Sequence, residues 1–355
     1  MAVRAIIARI AALLLMAVLV AAVLAGAILH LFGLDRRVDN GAHASDAIFG
    51  LTGDFAAIYN RTALAGPGRH IILIGSSNAI LIPATRMEQS INAGQSGHVF
   101  VDNMSVQGVS LPTFLKLVDL SYDGFGRGDN GHHLFVLAIW YGLFCRPVSN
   151  DHDDSFARLA THYGVYRETA TGHLVANFAP PVTHAALSGL RPIIMSQRNF
   201  DAITSFGQSL TQAVVAGNAG QIRASEAVQN AVTLTPAQQR EAIRQRRAGT
   251  TDANPAMIAY LDAIAQTVRQ HGDRLMIVDL PLPRWHQTGI PQFARFRQAL
   301  AAHVRDNPVY ADVSYVDFTS ALADDEFYDS AHPKPASADR LSDMIAREIL
   351  RKGLP

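Results

Sequence analysis

The chain has 355 residues, 49% of them apolar, and its 30 Lys and Arg balance 30 Asp and Glu. With no basic surplus to neutralise a phosphate backbone, nucleic acid is not an expected partner. The single cysteine, Cys145, excludes an internal disulfide, and its place behind the apolar stretch Trp140 to Phe144 marks it as an inert buried thiol.

At the N-terminus, Ile10 to Leu34 is a run of 25 residues without a formal charge. A helix rises ~1.5 Å per residue, so this run is long enough for a hydrocarbon core of roughly 30 Å. Arg4 and Arg9 precede it and favour a cytoplasmic N-terminus. A cleaved signal peptide competes, because Ala25-Gly26-Ala27 offers a small-residue cleavage pattern; the length of the run favours an uncleaved anchor. Residues 1–34 are thus expected to be a membrane anchor or signal segment, and either reading places the remainder outside the cytoplasm. Residues 35–69 read as a juxtamembrane helical connection, helical around Ala44 to Tyr59 and broken by Ala65-Gly66-Pro67-Gly68.

Residues 70–355 carry five short apolar runs that predict buried strands: Ile71–Ile74, His98–Asp102, Leu134–Ile139, Leu275–Asp279 and Val313–Phe318. Helical patterns at Leu111–Leu120, Pro255–Gln270 and Pro291–Val304 lie between them. This alternation predicts an α/β protein, a three-layer α/β/α sandwich around a parallel sheet of about five strands. The stretch at about 150–255 is far longer than a crossover needs and reads as a helical insertion, with patterns near Asn199–Ala216 and Pro236–Arg246. A last helix follows, capped by Ser337, striped by Leu341, Met344, Ile345 and Ile349, and ended by Arg351-Lys352-Gly353.

In an open parallel sheet, functional residues collect beyond the carboxyl ends of the strands. Gly75-Ser76-Ser77-Asn78 follows the first strand at such an end; alone, it reads first as a helix cap. Asp329-x-x-His332, between the fifth strand and the last helix, belongs at the same edge. Together they offer a nucleophile, Ser77, a base, His332, and an orienting carboxylate, Asp329.

These two motifs, in this order and context, resemble the SGNH (GDSL-type) hydrolase superfamily. There the nucleophile follows a Gly-Asp pair after the first strand, and the Asp and His come from one D-x-x-H loop near the C-terminus. Ser76 stands here in the place of that aspartate and Ser77 in that of the nucleophile. A Gly-Ser-Ser start behind an N-terminal anchor is similar to the cell-envelope branch, with its D-alanyl transfer proteins and its relatives beside exopolysaccharide acyltransferases. The resemblance implies that Ser77 and Gly108 supply backbone donors to an oxyanion; without it, Gly108 reads equally as an ordinary turn. The family's third block, Gly-x-Asn-Asp, is absent: Trp140-Tyr141-Gly142-Leu143-Phe144 occupies its place. The missing side-chain donor is then sought at Asn78 or Asn103.

Trp140, Tyr141, Trp285 and His286 lie just past strands and are weaker candidates for substrate contact, Trp285 as a sugar platform. Asp151-His152-Asp153-Asp154 reads as a solvated loop, so no metal site and no cofactor are expected. His132-His133 precedes its strand, away from the expected site. No Gly-x-Ser-x-Gly elbow, His-Glu-x-x-His helix or P-loop is present.

The expected function is an extracytoplasmic serine esterase or O-acyltransferase, anchored by one N-terminal pass in the inner membrane with its catalytic domain in the periplasm or outside the cell. It would act on acyl esters, acetyl the plainest, of a cell-envelope or exported polysaccharide. By analogy, a membrane-bound acyltransferase supplying the acyl group is the partner expected for the transfer version. Two alternatives stay open. One is a non-catalytic, membrane-tethered glycan-binding or assembly factor with a degraded site; the other is a lipid-directed esterase with an apolar channel beside Ser77.

Overall fold

In a computed structural model, the chain is described at residues 2–31, 64, 68–93, 97–106, 109–125, 132–145, 164–183, 185–186, 237–238, 240–241 and 252–353, with side chains of the first helix at 9–23. All five apolar runs are strands, with ends that differ by at most two residues. They are β1 (Arg69–Gly75), β2 (Val99–Asn103), β3 (Leu134–Ile139), β6 (Arg274–Asp279) and β7 (Ser314–Asp317). They form one parallel sheet in the order β2-β1-β3-β6-β7.

Successive residues of a strand face opposite ways, and this chain buries both faces. Ile72, Ile74, Phe135, Leu137, Leu275 and Ile277 point to one side, against α4 (Leu111–Gly124), α5 (Pro255–Gln270) and α7 (Pro291–Asp306). Ile71, Leu73, Val136, Met276 and Val278 point to the other, against α3 (Ala84–Asn92) and α8 (Pro335–Arg351). The three layers follow from this double burial. The first crossover, from β1 to β2, runs opposite to the second, from β2 past β1 to β3. Right-handed connections therefore put α3 and α4 on opposite faces.

Local chemistry sets the helix ends. The Asn254 side chain accepts from the Ala256 N–H at 3.0 Å, and Pro255 opens α5 at a position where no N–H is needed. The cap expected at Ser337 is displaced: α8 begins two residues earlier, at Pro335, whose ring pre-sets the helical φ. The Ser337 hydroxyl donates instead to Glu326 at 3.2 Å.

Within the insertion, residues 237–238 and 240–241 are helical, as expected for the Pro236–Arg246 pattern, while a hairpin that the sequence did not announce lies upstream. Tyr166–Glu168 (β4) and Leu174–Ala176 (β5) pair as an antiparallel hairpin, with Gly172 at φ +81° in its turn. The hairpin docks on one face of α4, where Lys116 pairs with Glu168 at 3.0 Å, Asp119 accepts from the Leu174 N–H, and Asp123 accepts from the Tyr166 hydroxyl. The pattern at Asn199–Ala216 and the Asp151-His152-Asp153-Asp154 run lie outside the described residues, as does the juxtamembrane segment Ala44–Tyr59.

The N-terminal backbone is helical from Ala2 to Leu31 (α1), and its described side chains are exposed. Among the described residues, no helix is long and apolar enough to cross a membrane, so the expected transmembrane helix is not found there.

At the carboxyl end of β6, Asp279 is buried, and burial lifts its carboxyl to about 7 against the Tyr315 hydroxyl, which donates at 3.0 Å, and the Arg297 guanidinium. The folded state thus holds this proton more tightly than an unfolded chain with an Asp value near 3.9. By linkage, stability from this group is greatest at acid pH, falls as pH rises from about 4 to about 7, and is level above. Asp279→Asn should flatten that fall, read as urea midpoints at about pH 5 and about pH 8; a slope equal to wild type would refute the assignment.

Candidate active site

The strand order reverses at β1 and β3, where a crevice opens beyond the carboxyl ends of an open α/β sheet. β1 ends at Gly75, and the chain turns at once into α2 (Ser77–Ile80). Glycine is required there by space. A Cβ on Gly75 would lie 2.3 Å from the Ala79 Cβ and 3.1 Å from the Ala138 Cβ, wedged between α2 and β3. Ser77 is the first residue of α2, so its N–H has no intrahelical carbonyl to bond.

The partner loop comes from the other end of the chain. Residues 327–333 fold back on themselves, with a bridge between Phe327 and Pro333 and the Tyr328 N–H donating to the His332 carbonyl at 2.8 Å. Asp329 organises the loop: its Oδ1 accepts the N–H groups of Ala331 and His332, both at 2.8 Å, while its Oδ2 lies 2.7 Å from His332 Nδ1. Burial works against the ionised carboxyl. The His332 ring and the two backbone donors outweigh it and hold Asp329 below the usual carboxylate range.

An ionised carboxylate only accepts, so His332 Nδ1 carries the proton and Nε2 presents a lone pair. That lone pair faces Ser77 Oγ at 2.9 Å, so the hydroxyl donates to it. Ser77, His332 and Asp329 are thus joined in one hydrogen-bonded line, half-exposed at the sheet edge.

The other expected residues divide. Asn103 is committed elsewhere: its Nδ2 donates to the carbonyls of Ala79 at 3.0 Å and Ile82 at 2.9 Å, and its Oδ1 accepts from the Ser105 N–H. It clamps the turn that carries Ser77 to β2, and its amide is thereby committed away from the Ser77 hydroxyl. Asn78 differs, because its Nδ2 is buried without a hydrogen-bond partner among the described residues. A buried unpaired donor is costly by about 1–3 kcal/mol, and only a few occur in a native structure. Gly108 lies outside the described residues.

Tyr141 and His286, expected to face substrate, are 0% and 2% exposed, and the Tyr141 hydroxyl lies 2.6 Å from His286 Nε2. Sequence position places them past strand ends, but packing turns both inward. Trp140 is 9% exposed and sends its indole N–H to Ser76 Oγ at 3.2 Å. Trp285 is half-buried, with the Arg240 guanidinium 5.6 Å over its ring, so a sugar would have to displace that cation to stack there. Cys145 is buried, and His133 enters β3 at the opposite end of the sheet. Among the described residues no cluster could hold a metal ion.

Ser76 is the residue whose role sequence reasoning missed. Its hydroxyl accepts from Trp140 and donates to Asn78 Oδ1 at 2.8 Å. An indole N–H can only donate, so the Ser76 proton passes to Asn78, whose carbonyl faces Ser76 and whose NH₂ faces away. The signal available was Gly142, where a Cβ would meet the Trp140 ring at 2.4 Å: the glycine lets that ring fold back over its own turn.

Gly75→Ala should cost about 1–3 kcal/mol in denaturant unfolding, as overpacking does. Gly97→Ala, where a Cβ meets nothing within 4 Å, should show no comparable loss and serves as the control. No protein-family model matches the chain, and a search of curated proteins finds no match.

Proposed function

We propose that this protein is a membrane-anchored serine esterase or O-acyltransferase of the SGNH type, acting on acyl esters of a cell-envelope or exported polysaccharide. One observation carries the proposal: the His332 ring is hydrogen-bonded to Asp329 on one nitrogen and to Ser77 on the other. A cap serine and a turn histidine have no reason to meet across 255 residues in this polarity.

In the proposed mechanism, Ser77 Oγ attacks the acyl carbonyl carbon while His332 Nε2 takes the hydroxyl proton. Asp329 keeps the proton on Nδ1 and stabilises the imidazolium that forms. The negative oxygen of the tetrahedral intermediate is met by the Ser77 N–H and by the unpaired Asn78 Nδ2, with the Gly108 N–H implied by the family resemblance. Collapse breaks the ester C–O bond, and His332 returns its proton to the departing alcohol. Water, or a sugar hydroxyl, then repeats the cycle on the acyl-enzyme; a membrane-bound acyltransferase is the proposed donor for transfer.

A fluorophosphonate probe applied to the full chain in detergent tests an activated serine without knowledge of the substrate. Wild type should label; Ser77→Ala and His332→Ala should not; Ser76→Ala should label at a reduced rate. Asn78→Ala should slow labelling about 10²–10³-fold, the usual cost of one oxyanion donor. Folded wild-type protein that fails to label would sink the enzyme reading in favour of a glycan-binding factor.

The anchor rests on the apolar run from Ile10 to Leu34 and on the exposure of every described side chain of α1. The full chain should sediment with membranes and resist carbonate extraction, whereas a chain lacking residues 1–34 should not. Full chain in the soluble fraction would remove the membrane from the proposal.

A further inference from the structure

The centre of the sheet carries a device that the proposed chemistry does not itself require. Trp140 and Tyr141, consecutive residues beyond β3, each begin a buried polar chain, and the two chains run to opposite halves of the site. The indole N–H of Trp140 reaches Ser76, the residue before the nucleophile. The hydroxyl of Tyr141 reaches His286 Nε2 at 2.6 Å, and His286 Nδ1 lies 2.5 Å from the Ser330 carbonyl, inside the Asp329-x-x-His332 loop.

The sheet register explains this reach. Gly75, the last residue of β1, pairs with Ala138, so the turn that carries Ser76 and Ser77 and the turn that carries Trp140 leave neighbouring strands at the same edge of the sheet. On the other side, β3 pairs with β6, whose chain leads into α6 (Arg284–Thr288) and His286.

A backbone carbonyl only accepts, so His286 Nδ1 carries a proton, and in the neutral ring Nε2 accepts the Tyr141 O–H. Ser330 is held inside a loop already closed by the Asp329 and Tyr328 contacts, so a bond to its carbonyl positions the loop as a unit.

We propose that Trp140 and Tyr141 form a frame that sets the distance between nucleophile and base, Trp140 acting through Ser76 and Tyr141 through His286 and the Ser330 carbonyl. None of these side chains touches the reacting atoms; all are positioning residues. The inference rests on the reading of Ser77 as nucleophile, and it accounts for a Trp-Tyr pair where the resemblance led to the expectation of an asparagine. Displacement of a catalytic group by ~1 Å costs on the order of 10²-fold in rate, which gives such a frame its leverage.

The test is the rate constant of fluorophosphonate labelling at saturating probe, with amide hydrogen exchange across residues 327–333, on the full chain in detergent. Tyr141→Phe deletes one oxygen and keeps the ring. It should slow labelling about 10-fold to 100-fold, leave the probe concentration at half-saturation unchanged, and speed exchange at Ala331 and His332. His286→Leu should do the same, and His286→Asn, which can still donate to the Ser330 carbonyl, should recover part of the loss. A wild type that does not label, with exchange still faster in Tyr141→Phe, would overturn the nucleophile reading and keep the frame as a tether. Tyr141→Phe with wild-type labelling and wild-type exchange would overturn the frame.

Discussion

The arrangement depends on one imidazole. His332 stands between an acceptor-only carboxylate and a hydroxyl, and that asymmetry fixes where every proton lies: on Nδ1, toward Asp329, and on Ser77, toward Nε2. Asp329 holds the ring with one oxygen and the loop's own N–H groups with the other, so the same carboxylate that orients the imidazole also builds the loop bearing it. Removal of its charge would loosen both at once.

Two ends of the chain meet here because of the sheet. β1 lies inside the sheet, between β2 and β3, and its carboxyl end faces the point where strand order reverses. The last helix packs against the same face as α3, so the loop that precedes it is carried back over β1. Arg86 and Asp343 tie α3 to α8 with a bidentate pair, Nε to Oδ1 and Nη2 to Oδ2, and the Ser342 hydroxyl reaches the Pro83 carbonyl at 2.8 Å. An exposed pair of this kind contributes little to stability. Its value is in register between α3 and α8, from which the position of His332 follows.

The strands and helices of the sandwich were legible because their signals are local. Ile71–Ile74 and Leu134–Ile139 are unbroken apolar runs, as two-sided burial requires, and Pro255 and Pro291 announce their helices. The hairpin of β4 and β5 was not legible, since strands of three residues carry too little pattern; its anchors are Lys116, Asp119 and Asp123 on a helix about 50 residues earlier. Ser337 misled for a related reason. A cap residue and a helical serine differ in backbone angle, and the proline two positions before it settled that angle.

Taken alone, the sequence determined the α/β class, the five strands and the candidacy of Ser77, Asp329 and His332, because residue type and position relative to a strand end suffice for these. Only the tertiary structure decided direction and partnership. It turned Tyr141 and His286 inward, committed Asn103 to the turn that carries Ser77, left the Asn78 Nδ2 without a partner among the described residues, and joined Ser76 to Trp140. Such outcomes rest on contacts between residues tens to hundreds of positions apart. A short motif names the groups that can do chemistry, but the geometry that aims them comes from the packing of the whole sheet.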